Sequence, residues 1–181
     1  MDNSAKIRKI TTYAMMSALM CICGPLSIPI GPIPVSLTIF IICLAVYIIR
    51  MKGTLISYSI YLLLGLVGLP VFSGFQGGPA KLAGPTGGYL IGFIALAFIS
   101  GLIFEKSNGN TVLTLIGMIL GIAVDYVFGT MWFMHQTHMG LAEALGVCVI
   151  PFIPIDLCKA AVATVLGRLI RKPLLKQGLI S

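Results

Sequence analysis

A chain of 181 residues with 58% hydrophobic and 9% charged side chains, and a mean hydropathy of +1.06, cannot clothe itself in solvated groups. Soluble domains carry about 25% charged residues, so the outer surface of this chain faces lipid. The net charge of +7 does not mark a nucleic-acid binder, because the basic residues stand in short patches at the ends of apolar runs, as topology signals do.

The stretch Met1 to Lys9 and the apolar run after it have no cleavage-site pattern before Gly24-Pro25, and read as a retained first helix. No charge occurs from Ile10 to Ile49, which is too long for one crossing of about 20 residues. Gly24-Pro25, Pro29, Gly31-Pro32 and Pro34 divide it, since proline lacks the amide hydrogen a helix needs. This predicts helices over about Ile7 to Cys23 and Val35 to Ile49. A charged turn, Arg50-Met51-Lys52-Gly53, precedes a third helix from about Thr54 to Leu69, which stops at Pro70. Between Gly74 and Gly88, eight of fifteen residues are Gly or Pro, predicting a long loop. A fourth helix over about Tyr89 to Phe104 ends at Glu105-Lys106, and a fifth covers about Thr111 to Phe133. A polar stretch from His135 to Gly140 and a short amphipathic piece lead to Pro151 and Pro154. The last helix runs from about Ile155 to Arg171.

The expected fold is therefore an all-α membrane protein, one domain over residues 1–181, built as a compact bundle of six transmembrane helices. In that arrangement Lys6, Arg8, Lys9, Arg50, Lys52, Lys106, Arg168, Arg171, Lys172 and Lys176 share one side, and only Lys81 falls in a loop on the other. An excess of ten to one predicts that both termini are cytoplasmic.

Charged residues inside apolar runs are the candidates for chemistry. Asp156 and Lys159, three residues apart at the outer start of the last helix, share a helix face. Each costs about 2.5–3.5 kcal/mol near the bilayer centre, so such residues face the bundle interior and mark a site or a self-neutralising structural pair. In a site, Lys159 meets a substrate carboxylate and Asp156 accepts N–H groups. Asp125 stands alone in the fifth helix, open to either a site or a structural role. The Gly74–Gly88 loop can fold over a ligand, because glycine permits close backbone approach; it matches no phosphate-binding loop. His135 and His138 have no further ligand in helical register, and read as interfacial. The five cysteines sit in apolar stretches as small buried residues. No metal site, cofactor site or catalytic set can be assembled, which argues against an enzyme. Ala14 and Ala18 are small residues four apart, a spacing that lets another helix approach closely in lipid.

With these motifs in view, the chain resembles the BioY family, the biotin-specific S-components of energy-coupling-factor (ECF) transporters. The resemblance rests on Gly65-Leu66-Val67-Gly68-Leu69-Pro70-Val71-Phe72, on Gly84-Pro85-Thr86-Gly87-Gly88-Tyr89-Leu90-Ile91-Gly92-Phe93, on Tyr126, Gly129 and Trp132, and on Pro151-Phe152-Ile153-Pro154-Ile155-Asp156-Leu157-Cys158-Lys159-Ala160. It implies a subunit in the plasma membrane of a prokaryote that captures biotin from outside. A membrane coupling (T) subunit and two cytoplasmic ATPase subunits would drive release, the loaded subunit toppling in the bilayer. Ala14 and Ala18 would then form the docking motif for the coupling subunit. The implied ligand-binding residues are Asp156, Lys159, Tyr89, Gln76, Phe75, Thr86, Tyr126 and Trp132. The competing reading is a stand-alone secondary transporter or channel for a small carboxylated metabolite.

Overall fold

The computed structural model describes residues 3–31 and 33–180. Met1 and Pro32, which enter the sequence expectations above, lie outside the described residues. In chain order the elements are α1 (Asn3–Cys23), β1 (Ser27–Ile30), β2 (Ile33–Ser36), α2 (Thr38–Leu66), α3 (Pro79–Ala83), α4 (Gly87–Lys106), α5 (Thr111–Thr137), α6 (Leu141–Cys148) and α7 (Ile153–Lys176). By length and hydropathy, α2, α4 and α5 can each cross a membrane, and α6 and α7, bent by 43° at their junction, pass together as a further span.

The helix α2 is one run in name only. At Arg50 the backbone leaves helical space, with φ 60° and ψ −176°. Thr38 and Tyr61 would stand about 35 Å apart in a straight helix at 1.5 Å per residue. They instead line one cavity, so residues 38–49 and 51–66 form two arms folded back on each other. The turn is pinned by Glu105, whose carboxylate lies 3.5 Å from the Arg50 guanidinium and accepts the Met51 amide at 3.3 Å.

Packing contacts give the direction of each piece. The hydroxyl of Ser57 donates to the Tyr13 carbonyl at 3.0 Å and Gly24 lies against Tyr61, so the second arm of α2 runs with α1. The Tyr58 hydroxyl donates to the Leu90 carbonyl while Gly101 sits on Met51, so α4 runs opposite to that arm. Along the α4–α5 seam, Gly88 faces Trp132, Gly129 faces the Tyr89 ring, Gly92 faces Asp125, and Gly121 and Gly117 face Leu96 and Ile103. Small residues let the two backbones come close, which is how helices associate where lipid supplies no hydrophobic drive. Finally, Lys159 meets Ser36, and Gly167 meets Tyr47, so α7 runs alongside the first arm of α2. Both chain ends thus reach the same end of the bundle, where Arg8 donates to the Gly178 carbonyl at 2.5 Å. The opposite end carries the β1–β2 hairpin, the 67–86 loop with α3, and α6.

The hairpin corrects the all-α expectation. The strands pair antiparallel with Ile30 opposite Ile33, Pro29 opposite Pro34 and Ser27 opposite Ser36. Beside a two-residue turn, the Ile30–Ile33 pair exchanges the ladder hydrogen bonds and the next pair does not. The two prolines therefore occupy a pair that asks for no donor, and Gly31 turns the chain at φ +77°. Prolines that end a helix here also fit a strand. The helix expected from Val35 accordingly begins at Thr38, and α7 extends past Arg171 to Lys176 with Pro173 inside it.

Candidate functional site

At the hairpin end a cavity opens between β2, both arms of α2, α4, α5, α6 and α7. The lining has the usual composition of a small-molecule pocket, apolar walls with a few fixed polar groups. The walls are Ile33, Val35, Ile39, Tyr61, Tyr89, Leu90, Phe93 and Phe152, with Thr86 and Ser73 contributed by the loop.

One wall of the cavity carries a charged cluster. Lys159, only 12% exposed, donates to Asp156 Oδ1 at 2.9 Å and to the Ser36 carbonyl at 2.7 Å. Asp156 Oδ2 accepts the Tyr126 hydroxyl at 2.7 Å. The i, i+3 spacing on α7 brings the pair together, and the last residue of the hairpin supplies the second acceptor. An ammonium has three donors, so two are fixed within the protein and one stays free for a ligand. The net result is an oriented cation in an apolar chamber, where low dielectric strengthens its pull on an anionic group.

Asp125 is different in kind. It is fully buried, lines the same cavity from α5, and neither carboxyl oxygen has a hydrogen-bond partner among the described residues. The absence of a side chain at Gly92 makes room for it, since a Cβ there would strike Asp125 Oδ1. Residues Leu96, Met118 and Ile122, all at most 4% exposed, fill the bundle toward the terminal end. The Tyr61 hydroxyl is the other buried cavity group without a partner.

Of the residues expected from the sequence, Asp156, Lys159, Tyr89, Thr86 and Tyr126 line the cavity, whereas Gln76, Phe75 and Trp132 do not. Phe75 is 66% exposed at a turn with φ 57°. Gln76 borders a separate recess with Ala80, Lys81 and Thr86, and Thr86 is the residue common to both spaces. Partial burial there holds the Lys81 ammonium below its ordinary value. Trp132 instead clamps the loop: its indole N–H donates to the Gly84 carbonyl at 2.9 Å, and Gln136, one turn on, donates to the Ala83 carbonyl at 2.8 Å. His135 and His138 are exposed at the end of α5, with His138 in the left-handed region as its C-cap. Ala14 and Ala18 are exposed on α1, while Met16, Ser17 and Met20 turn inward.

Sequence reasoning missed Ser36, Thr38, Tyr61, Phe93 and Phe152 as cavity residues. An apolar or hydroxyl side chain within an apolar run looks the same whether it packs or lines a chamber. The hairpin offered a signal, since Pro29-Ile30 and Ile33-Pro34 are mirror images about Gly31-Pro32.

Comparison with known proteins then adds to the geometry. The family model of BioY matches residues 1–176. The biotin transporter BioY of Thermotoga maritima is 35% identical over 166 residues, 92% of this chain and 97% of that one. A probable biotin transporter BioY of Pyrococcus horikoshii is 36% identical over 162 residues, covering 90% and 95% of the two chains. Among solved structures, the S-component for biotin from an ECF-type ABC transporter superposes with a TM-score of 0.88 at 34% identity, over 95% of each chain. The chain described here belongs to the BioY family.

Proposed function

We propose that this chain is the biotin-capturing membrane subunit of an ECF-type ABC transporter, and that the cavity beside Lys159 is where biotin sits. The observation that carries the reading is the apolar chamber lined by an ammonium with one donor left over, in a chain of this family. The free donor of Lys159 takes the biotin carboxylate; Tyr89, Phe93, Tyr126 and Phe152 cover the apolar bicycle; Thr86 and the loop close over it. Residues Phe75, Gln76 and Trp132, outside the chamber, shape and hold that lid.

The bundle crosses the membrane six times, as α1, the two arms of α2, α4, α5 and α7. Both termini are cytoplasmic and the cavity opens outward, a reading supported by the ten-to-one excess of basic residues at the terminal end. The partners are a membrane coupling subunit, docked on the exposed Ala14–Ala18 face, and two cytoplasmic ATPases, in the plasma membrane of a prokaryote. The chain is a carrier subunit and performs no chemistry on its ligand. A stand-alone channel or secondary transporter is less well supported, because the buried Leu96, Met118 and Ile122 fill the bundle toward the terminal end. Co-purification tests the assignment: the detergent-solubilised chain from cells grown with biotin should carry the vitamin in near-stoichiometric amount. Preparations that contain none under those conditions contradict it.

A further inference from the structure

At the terminal end of the bundle, away from the cavity, Arg50, Phe104, Glu105, Asn108, Gly109 and Arg171 line a recess. Two of the six carry guanidiniums, and Glu105 is the one acid among the described residues at this end. Arg171 is held in place from two sides. Its guanidinium carbon lies 5.2 Å from the centre of the Phe104 ring, and it donates to the Tyr47 carbonyl at 2.5 Å. The Phe104 ring is itself braced by Tyr47, edge to face at 5.2 Å. A guanidinium has five N–H donors in one plane, and no carboxylate among the described residues lies within ion-pair distance of Arg171, so most of its fork is left over. Arg50, 3.5 Å from Glu105, keeps nearly half of its side chain exposed. Its backbone, at φ 60° and ψ −176°, occupies a region that only glycine enters freely. A glycine would reverse the chain there without strain; what the arginine adds is a second guanidinium in the recess.

Two guanidiniums against one carboxylate leave the recess with a single net positive charge. A phosphodiester brings a single negative charge, and its oxygens match the fork of an arginine two at a time. The recess lies where the apolar helices α4 and α5 meet the bilayer surface, the level of lipid headgroups. We infer that it holds the phosphodiester of an anionic phospholipid, with Arg171 and Arg50 as its two guanidinium ligands. Glu105 competes with the lipid for Arg50 and so sets how tightly the headgroup is held. Soluble phosphate shares this chemistry, and the experiment separates the two sources. The site stands apart from the cavity and does not depend on what the cavity binds.

The experiment melts the purified full-length chain, stripped of lipid in a neutral detergent, with added phosphatidylglycerol, phosphatidylcholine or sodium phosphate. Phosphatidylglycerol at about 100 times its dissociation constant should raise the wild-type midpoint by about 5 °C or more. Phosphatidylcholine, whose headgroup has no net charge, should raise it by less than half as much. Arg171→Gln and Arg50→Gly should each lose most of the rise. Arg50→Gly is relieved of its strained backbone and should melt close to wild type without lipid, so it carries the test if Arg171→Gln does not fold. Glu105→Gln keeps an acceptor for the Met51 amide and removes the competing charge, so it should bind phosphatidylglycerol several-fold more tightly than wild type. Equal responses to the two lipids overturn the inference, as does an undiminished rise in either arginine variant or weaker binding in Glu105→Gln. Sodium phosphate that reproduces the full rise at the same phosphate concentration assigns the recess to a soluble anion and overturns the lipid.

Discussion

In the proposed site Lys159 has two roles, as the ion-pair partner of Asp156 and as the ammonium whose third donor is left for the ligand. Removing one partner of a buried ion pair costs about 3–5 kcal/mol, as the other charge is left uncompensated. Lys159→Ala is therefore expected to weaken biotin binding by roughly two to four orders of magnitude, at 1.4 kcal/mol per decade. Comparison with biotin amide separates the two roles of the lysine. Wild type should prefer the acid, whereas the alanine variant should bind acid and amide alike; a variant that still prefers the acid as strongly as wild type means the carboxylate is held elsewhere. Tyr126→Phe removes only the hydroxyl that fixes Asp156 Oδ2. A hydrogen bond to a charged group is worth about 1.5–3 kcal/mol, part of which returns when the pair reorients, so affinity should fall by about tenfold or less. A loss as large as that of Lys159→Ala would place Tyr126 on the ligand directly. At this scale the sequence was informative wherever a charge interrupted an apolar run, as at Asp125, Asp156 and Lys159. It was silent wherever the lining is apolar or hydroxylic, as at Tyr61, Phe93 and Ser36, because such positions acquire a role only when distant elements meet around them.

Among the elements, the α4–α5 seam is the most sensitive to added volume. A Cβ at Gly129 would enter the Tyr89 ring, which lines the cavity. Overpacking of this kind costs about 1–3 kcal/mol. Gly129→Ala should lower the thermal midpoint and also weaken biotin binding, through the displaced tyrosine; an unchanged melting curve would mean the seam yields freely. The outward face of α1 predicts the reverse pattern. Ala14→Trp or Ala18→Trp should abolish uptake by the assembled transporter while leaving biotin affinity of the solitary subunit within a few-fold of wild type, since Met16, Ser17 and Met20 make the inward contacts. Uptake that survives both substitutions assigns docking to another face. The apolar runs and their Gly, Pro and charge breaks located the helices to within a few residues. They did not locate the β-hairpin, because Pro29 and Pro34 read as breakers until their pairing opposite each other is seen. The charged turn expected at Arg50-Met51-Lys52-Gly53 is where residues 38–66 fold back, one left-handed residue beside Glu105 reversing the chain.

For the molecule as a whole, the same end of the bundle gathers the chain termini, the Arg50 turn and the Glu105-Lys106 turn, and the other end gathers the hairpin, the loop and the cavity. Protease-cleavable tags at the two termini should both be cut in inside-out vesicles and both be protected in intact cells; cleavage of either tag in intact cells contradicts the orientation proposed. The central claim, that the chamber beside Lys159 and Asp125 holds biotin, is tested most directly by calorimetric titration of the purified, ligand-free subunit. An apolar chamber with a charge partner for the carboxylate is expected to bind one biotin per chain with a nanomolar dissociation constant, about −12 kcal/mol. A titration that releases no heat, in a preparation whose melting temperature biotin does not raise, would contradict the account.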